Sequence, residues 1–394
     1  MRRLVLSTAL VVSACGGDDA ATSPDAPTAD AVSPDGGGCR RTPAPADRPR
    51  KVVVSLPYTA SGGQANNWGV WLLDQTGALT DTGARFAMGR ATGGVVAFTP
   101  DGQVAIAPQS DGTLGVVRFD GSTPVVVHAR FDGSFYAGEV VIAPDGASAI
   151  VVDGNWPGNG GGLYRIDIGC DGTLTDRGRW LPTKLARGLH VVGDRAVLAA
   201  TEVGATPAGH DLHLLDWTRD PPVVVAGVDA FGDDDAIVGG VAVTADGRVA
   251  LLGDTSQFSG VPNRVAVVGI AGDSLTAHPV LTPIEDPYAI VASPFTDTAV
   301  IASGFGDALL GLRYAAGATP PVTLTGPLTY SGGRPQLPGD AVVLAQGPQR
   351  GLAIVAENTG LRRLRFAPNA ITDLGKTPTG TGTAAIPGAL GVEP

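Results

Sequence analysis

Long apolar runs, basic charge and paired cysteines are scarce in this chain, and each shortage argues against a class of protein. The apolar segment 4–14 is too short to cross a bilayer, which takes roughly 20 residues. With 38 acidic and 27 basic side chains the net charge is −11, so the basic face that nucleic-acid binding requires is missing. The 3 cysteines include no Cys-x-x-Cys pair, which argues against a zinc site.

The first 15 residues follow the order of a secretory signal: Arg2 and Arg3, an apolar core, then Cys15. The sequence "VSAC" at 12–15 resembles the lipobox of bacterial lipoproteins. That resemblance implies a signal peptide over 1–14 and a lipid on the thiol of Cys15. The lipid would anchor the protein in the cell envelope, at the outer membrane on its periplasmic side or at the cell surface. An ordinary secretory signal with an incidental Cys15 is the alternative.

Residues 15–50 are mostly Asp, Pro, Ala, Thr and Gly, and they cannot bury enough apolar surface to offset the entropy of ordering. We therefore predict a disordered acidic tether, with the folded domain beginning at residue 51. Cys39 lies in this tether and Cys170 in the predicted turn "DIGCDGTL". An exported chain can oxidise them to a disulfide, but their spacing fits two free thiols equally well.

A phrase built around Asp-Gly recurs along the rest of the chain, as in "FTPDGQVAI" (98–106), "IAPDGASAI" (142–150) and "VTADGRVAL" (243–251). Glycine supplies the positive φ that such tight hairpins need. Aspartates in equivalent turns lie 44 to 52 residues apart, at Asp101, Asp145, Asp194, Asp246 and Asp297. Short β-branched runs between them give four strands per unit, a period typical of propeller blades.

A sixth, eroded copy follows in "AVVLAQGPQRGLAIV" (341–355), and the six units leave a remnant at each end of the folded region. Residues 51–88 supply three strands without an innermost one, and residues 382–394 supply one strand with nothing after it. Joined, they complete a seventh blade and remove the free sheet edges. The predicted fold is all-β, a seven-bladed β-propeller over 51–394 whose last blade is closed by strands from both termini.

Three segments resemble known propellers. "DPYAIVASPFTDTAVIASGFGDALLGLRY" (286–314) is similar to the YVTN-type repeat, and residues 55–80 and 161–175 resemble blades of the lactonase-like seven-bladed propellers. The resemblance implies this fold and, as an activity, lactone hydrolysis. Family members carry a histidine-containing segment leading into an innermost strand. The comparable "FYAGEV" (135–140) has no histidine, so no catalytic residue is carried over.

The predicted loops between the second and third strands are long in four blades, at 59–69, 153–162, 201–211 and 253–263. Aromatic rings and amides among them suit a saccharide or peptide. The predicted ligand-binding residues are Trp68, Trp156, Asn67, Asn155, His210 and Phe258, with Asn263 beside them. His210 and His213 are expected on opposite faces of a strand, which argues against a shared metal.

A second candidate site is the mouth of the central channel, where the innermost strands begin. Side chains expected there are Glu139, His190, Asp233, Asp234, Asp235, Glu285, Asp286, Tyr288 and Arg334. Glu139, Asp235 and Asp286 could hold a divalent cation such as calcium, which prefers oxygen ligands. Glu139 and His190 could instead form a catalytic acid–base pair, or all these carboxylates could be solvated turn residues.

Three functions fit these features. The leading interpretation is a monomeric, lipid-anchored cell-envelope propeller that binds a protein, peptide or saccharide through its loop face and is not an enzyme. The alternative is a lactonase-like or metal-dependent hydrolase with its site at the channel mouth. The third is a structural component of an envelope assembly without a small ligand.

Overall fold

A computed structural model describes residues 38–91, 94–109, 113–121, 123–129, 137–154, 161–203, 209–232, 238–254, 263–315, 317–318 and 320–394. Contacts within the chain group residues 37–394 into one compact unit. The strands of this part form seven antiparallel sheets. Six have four strands and one has a fifth short strand at its edge, and in one of the four-stranded sheets the innermost strand comes from the far end of the folded region.

The blades are made of the following strands. β1 (Arg50–Tyr58), β2 (Gln64–Leu73) and β3 (Leu79–Ala87) belong to blade 7; β4 (Ala97–Phe98), β5 (Val104–Pro108), β6 (Leu114–Asp120) and β7 (Thr123–Ala129) form blade 1; β8 (Ala137–Ile142), β9 (Ser148–Asp153), β10 (Gly162–Ile168) and β11 (Leu174–Lys184) form blade 2. Blade 3 contains β12 (Gly188–Val192), β13 (Arg195–Ala199), β15 (Leu212–Asp216) and β16 (Val223–Val228), while the short β14 (Glu202–Val203) pairs with β11.

The remaining blades continue the pattern. β17 (Val238–Val243), β18 (Val249–Asp254), β19 (Arg264–Ala271) and β20 (Ser274–Leu281) form blade 4; β21 (Pro287–Ala292), β22 (Thr298–Ser303), β23 (Ala308–Tyr314) and β24 (Val322–Pro327) form blade 5; β25 (Ala341–Val343), β26 (Leu352–Glu357), β27 (Gly360–Ala367) and β28 (Ala370–Thr377) form blade 6. After a single 3-10 turn at Thr383–Ala385, β29 (Leu390–Val392) becomes the innermost strand of blade 7.

The first strands of successive blades contact one another in a closed cycle, from β4 through β8, β12, β17, β21 and β25 to β29 and back to β4. They therefore surround one axis. The ring closes where β29 pairs with β1, with Val53 opposite Gly391. The prediction of a seven-bladed propeller closed by both ends of the folded region is confirmed.

The recurring Asp-Gly phrase forms the turn between the first two strands of a blade. In blade 1, the Asp101 carboxylate accepts the Thr99 hydroxyl at 2.6 Å and the Gln103 N–H at 3.0 Å. Gly102 follows at a φ of 69°. Blade 4 repeats the arrangement at Asp246. The phrase recurs because each blade needs this turn, and a positive φ there favours glycine.

Small aliphatic side chains fill the space between adjacent blades. Within the described residues, one apolar cluster lies between each pair of neighbouring blades. Between blades 7 and 1, for example, Val53 packs with Phe98 and Ala105. Because each blade packs against neighbours on both faces, its second strand is buried on both sides, as in β5 and β18, whereas outermost strands such as β3 and β20 are largely exposed. This packing makes the ring rigid enough to hold loops in fixed positions.

Residues 38–49 lie on the propeller, so the prediction of a disordered tether as far as residue 50 is wrong for this part. Cys39 is disulfide-bonded to Cys170, and its N–H donates to the Ile168 carbonyl at 2.7 Å. The Arg41 guanidinium donates to the Gly146 carbonyl at 2.7 Å and pairs with Asp101 at 3.3 Å. The disulfide, the hydrogen bonds and the ion pair order the segment without burying apolar surface. The prediction of disorder rested on apolar burial alone.

Residues 1–37, including Cys15, lie outside the described residues. Nowhere in the described ranges is there a helix with the length and apolar character needed to span a membrane.

Candidate functional site

The innermost strands all begin at the same end of the channel, where the connections between blades arrive. We call this end the axial mouth and define it by Gly94 before β4, Glu139 in β8, His190 in β12, Tyr288 in β21 and Asp340 before β25. Gly94 lies beside Asp340 and beside Gly138, the residue that precedes Glu139. Its N–H donates to the Asp340 carboxylate, and a Cβ on it would lie 3.4 Å from the Gly138 carbonyl.

Glu139 connects blades 2 and 3. Its Oε2 accepts the Leu189 N–H of β12 at 2.7 Å, and the side chain is half-buried. Burial raises the pKa of Glu139 to about 7, and the Leu189 N–H only partly opposes this. Near neutral pH the residue therefore exists in both protonation states, which is the property of an effective general base.

Asp340 is the mouth residue that sequence reasoning missed. It is 7% exposed, and among the described residues its Oδ2 has no hydrogen-bond partner. Burial raises the pKa of Asp340 to about 7, against the opposing effect of the Gly94 N–H. A carboxylate directly before the predicted innermost strand, in "PGDAVV" (338–343), is the signal that could have identified it.

His190 is exposed on β12, beside the Leu189 that binds Glu139. The surrounding protein lowers the pKa of His190, so the imidazole is neutral at pH 7. Desolvation by the surrounding protein is the main cause of the pKa shifts of Glu139 and His190, and the charge of one does not contribute to the shift of the other. They occupy neighbouring strands, and their action as an acid–base pair stays a prediction.

Asp286 makes hydrogen bonds to the loop between β22 and β23. Its backbone has a φ of 50°, and its carboxylate accepts the Phe305 N–H. Its carbonyl accepts the Gly304 N–H at 2.9 Å, and burial raises the pKa of this carboxyl. The residue belongs to blade 5, whereas Glu139 belongs to blade 2.

The predicted calcium ligands do not come together in the described ranges. No group of three His, Cys, Asp or Glu side chains placed to hold a metal ion occurs there. Glu139 and Asp286 lie on blades 2 and 5, and the third predicted ligand, Asp235, lies outside the described residues together with Asp233 and Asp234.

Arg334, also predicted at the mouth, holds a neighbouring loop. Its Nε donates to the Asp307 carbonyl at 2.7 Å and its Nη2 to the Gly306 carbonyl at 2.6 Å. Glu285 contributes its backbone, because its carbonyl accepts the Ser303 hydroxyl. Both residues therefore shape the top of blade 5 and are not channel ligands in this structure.

Trp68, the first aromatic residue predicted for the loop face, does not lie on that face. Trp68 lies in β2, is 0% exposed and donates from Nε1 to the Gly89 carbonyl at 2.7 Å. The prediction that its ring is offered to a ligand is wrong, because β2 begins at Gln64, inside the predicted loop 59–69, and the strand directs the ring into the core. Asn67 beside it is exposed. Asn263 accepts the Asp286 N–H, whereas Trp156, Asn155 and Phe258 lie outside the described residues.

His210 and His213 are not on opposite faces, contrary to expectation, because β15 begins only at Leu212. Their ring centroids lie 6.1 Å apart. His213 is fully buried, its Nε2 is 3.0 Å from the Ala200 carbonyl, and burial lowers its pKa to about 4. Asp211 between them accepts the Ala230 N–H at 2.9 Å, and burial raises its pKa to about 6.

Solved structures with the same fold are similar to this chain. A protein from Lactobacillus plantarum has a TM-score of 0.63 at 13% identity, covering 87% of this chain and 99% of its own. A periplasmic gluconolactonase from Pseudomonas aeruginosa has a TM-score of 0.60 at 14% identity, covering 88% and 99%. A candidate 6-phosphogluconolactonase from Bacteroides fragilis has a TM-score of 0.59 at 13% identity, covering 89% and 99%. No protein-family model and no curated protein sequence matches the chain.

Proposed function

We propose that this propeller hydrolyses small uncharged lactones at its axial mouth, with Glu139 as the general base. The observation that carries the proposal is the half-buried Glu139 carboxyl, whose pKa is raised to about 7 at the start of an innermost strand. Perturbed carboxyls in a confined position are typical of active sites. The gluconolactonase neighbour supports the choice of a cyclic ester as substrate.

The chemistry is addition of one water molecule. Glu139 takes a proton from a water molecule while the oxygen of that water bonds to the lactone carbonyl carbon. The tetrahedral intermediate then collapses by breaking the ring acyl C–O bond. The ring oxygen takes up the proton that Glu139 accepted from water, so Glu139 returns to its carboxylate form and a hydroxycarboxylic acid leaves. Asp340, in its acid form, donates a hydrogen bond to the carbonyl oxygen, where negative charge develops.

The charge of the mouth favours a neutral substrate. Glu139 and Asp340 place two ionisable carboxyls there, and the chain as a whole carries a net charge of −11. A phosphorylated lactone would be repelled by the ionised form of Glu139 and by the net negative charge of the chain. We therefore expect sugar lactones without phosphate, or plain aliphatic lactones, to react faster than 6-phosphogluconolactone.

The test is proton release from glucono-δ-lactone and δ-valerolactone by the purified protein. Glu139→Gln is expected to lower kcat/KM by about 10²- to 10⁴-fold, the range for loss of a general base. Asp81→Asn, which alters an exposed ion pair in β3, is the matched control and should leave kcat/KM unchanged. The proposal fails if the wild type does not exceed the buffer rate, or if Glu139→Gln retains full activity.

We also propose that a lipid on Cys15 anchors the propeller in the cell envelope. The order of charge, apolar core and cysteine in residues 1–15 supports this. A lipid-anchored enzyme would act on lactones outside the cytoplasm. Mass analysis of the mature N-terminal peptide tests the anchor: an unmodified Cys15, or a chain cut elsewhere, would contradict it. Binding of a partner through the loop face stays a prediction.

A further inference from the structure

Three exposed apolar residues occur in neighbouring segments of and next to blade 5, which hydrogen bonds join to one another. Phe305 is 59% exposed, Leu337 42% and Tyr288 40%. Phe305 is in the loop between β22 and β23, Leu337 is in the connection from β24 to β25, and Tyr288 is the second residue of β21. We call these three residues the apolar rim.

Two buried or clamped carboxylates fix the backbone of the rim. Asp286 accepts the Phe305 N–H with its carboxylate and the Tyr288 N–H with its carbonyl, the latter at 2.7 Å. Asp307 accepts the Leu337 N–H at 2.8 Å, and Arg334 donates to the Asp307 carbonyl. The rim is therefore a preorganised surface and not three independent exposed side chains.

The backbone that carries the rim is also strained. Asp286, Asp307 and Leu337 have φ values of 50°, 45° and 44°. Only two other non-glycine residues in the described ranges, Leu185 and Asn369, have positive φ. Such conformations cost free energy, persist only where the surroundings hold them, and cluster at ligand-binding sites.

The rim is continuous with the axial mouth. A Cβ on Gly339 would lie 3.9 Å from Cδ1 of the Tyr288 ring. Gly339 directly precedes Asp340, whose carboxyl reaches Gly94 at the mouth. One end of a ligand in the mouth would therefore meet carboxyls, and its other end would meet an aromatic and aliphatic surface.

We propose that the apolar rim binds an aliphatic chain attached to the lactone ring. The substrate is then an alkyl-substituted, uncharged lactone. This inference rests on the proposed lactonase function, and it names the substrate class of that site. A hydroxyl-rich sugar lactone would leave the rim exposed to water and would gain nothing from it.

The test compares kcat/KM for δ-valerolactone and for its pentyl-substituted analogue δ-decalactone. One buried methylene corresponds to about a fourfold gain in binding, so partial burial on the open rim predicts about twofold per carbon and a preference of about 30-fold for the longer substrate. Phe305→Ala and Leu337→Gly should each reduce this preference at least threefold. Glycine adopts the positive φ of residue 337 without strain, so this variant is expected to fold.

Phe295→Ala is the matched control, because Phe295 is an aromatic residue of 38% exposure in the turn between β21 and β22, at the other end of the same blade. It should retain the preference of the wild type. Equal kcat/KM values for the two lactones in an active wild type would overturn the proposal that the rim binds an alkyl chain. They would leave the lactonase function intact.

Absence of hydrolysis of both lactones would overturn the function instead. The rim is then judged by calorimetric binding of δ-valerolactam and its pentyl-substituted analogue, which are not hydrolysed. A tighter Kd for the pentyl lactam that is lost in Phe305→Ala supports an alkyl site. Equal Kd values, or no binding of either lactam, overturn it.

Discussion

Replacing Glu393 with glutamine is expected to weaken the closure of the ring. Glu393 follows β29, and its side chain is 0% exposed. Its carboxylate accepts the Lys51 N–H at 2.9 Å and pairs with the Lys51 ammonium at 2.8 Å and with Arg48 at 2.5 Å. It therefore holds together β29, β1 and the segment that precedes β1.

The expected loss is about 3 kcal/mol in the free energy of unfolding. Breaking a buried ion pair by removing one partner costs about 3–5 kcal/mol, because the other charge stays buried. The Lys51 side chain is only 11% exposed, so water cannot replace the carboxylate there. The Arg48 side chain is 32% exposed and can be rehydrated, which places the expected value at the low end of that range.

Urea unfolding followed by circular dichroism measures the change. A shift of the midpoint with an unchanged slope reports stability alone. Asp81→Asn is the control, since the Asp81–Arg85 pair has side chains about two-fifths exposed and is worth less than about 1 kcal/mol. If Glu393→Gln shifts the midpoint no more than Asp81→Asn does, the buried carboxylate does not secure the ring closure.

Two further outcomes are expected. Burial holds the pKa of Glu139 and Asp340 at about 7 in the folded state, above their ordinary values. At these two carboxyls the folded chain thus binds more protons than the unfolded chain between about pH 4 and 7. Stability from these groups is present at acid pH and is lost as the pH rises through 7. In the wild type we therefore expect the thermal midpoint to fall as the pH rises towards 7, and in Asp340→Asn we expect a smaller fall. An unchanged dependence of the midpoint on pH would contradict the raised pKa of Asp340. Cys170→Ser opens a loop whose ends are 131 residues apart, and it should lower the free energy of unfolding by about 2–5 kcal/mol. A variant as stable as the wild type would show that the disulfide adds nothing to the fold.

The position of the site depends on contacts between blades. Asp340 of blade 6 meets Gly94 ahead of blade 1, and Glu139 of blade 2 binds the Leu189 N–H of blade 3. None of these pairs is close in sequence. The raised pKa values of Glu139 and Asp340 follow from burial at the axis. A sequence pattern does not show which carboxyl is desolvated.

The strands, the turns and the closed ring could all be predicted from the order of residues. Asp-Gly turns and β-branched runs are local features, so their period of about 50 residues was visible before any contact was known. The pairing of β29 with β1 followed because each terminal remnant lacked what the other supplied.

The side chains that face the channel could not be identified before the folded arrangement was known. Trp68 was expected in a loop and lies in the core, and Asp286 was expected at the channel and fastens a loop of blade 5. Residues 38–49 contain no large aliphatic or aromatic residue and still bind the propeller, through Arg41 and the Cys39 disulfide. In each case the environment is supplied by residues distant in the chain, and the energy of burial or hydrogen bonding exists only once they are brought together.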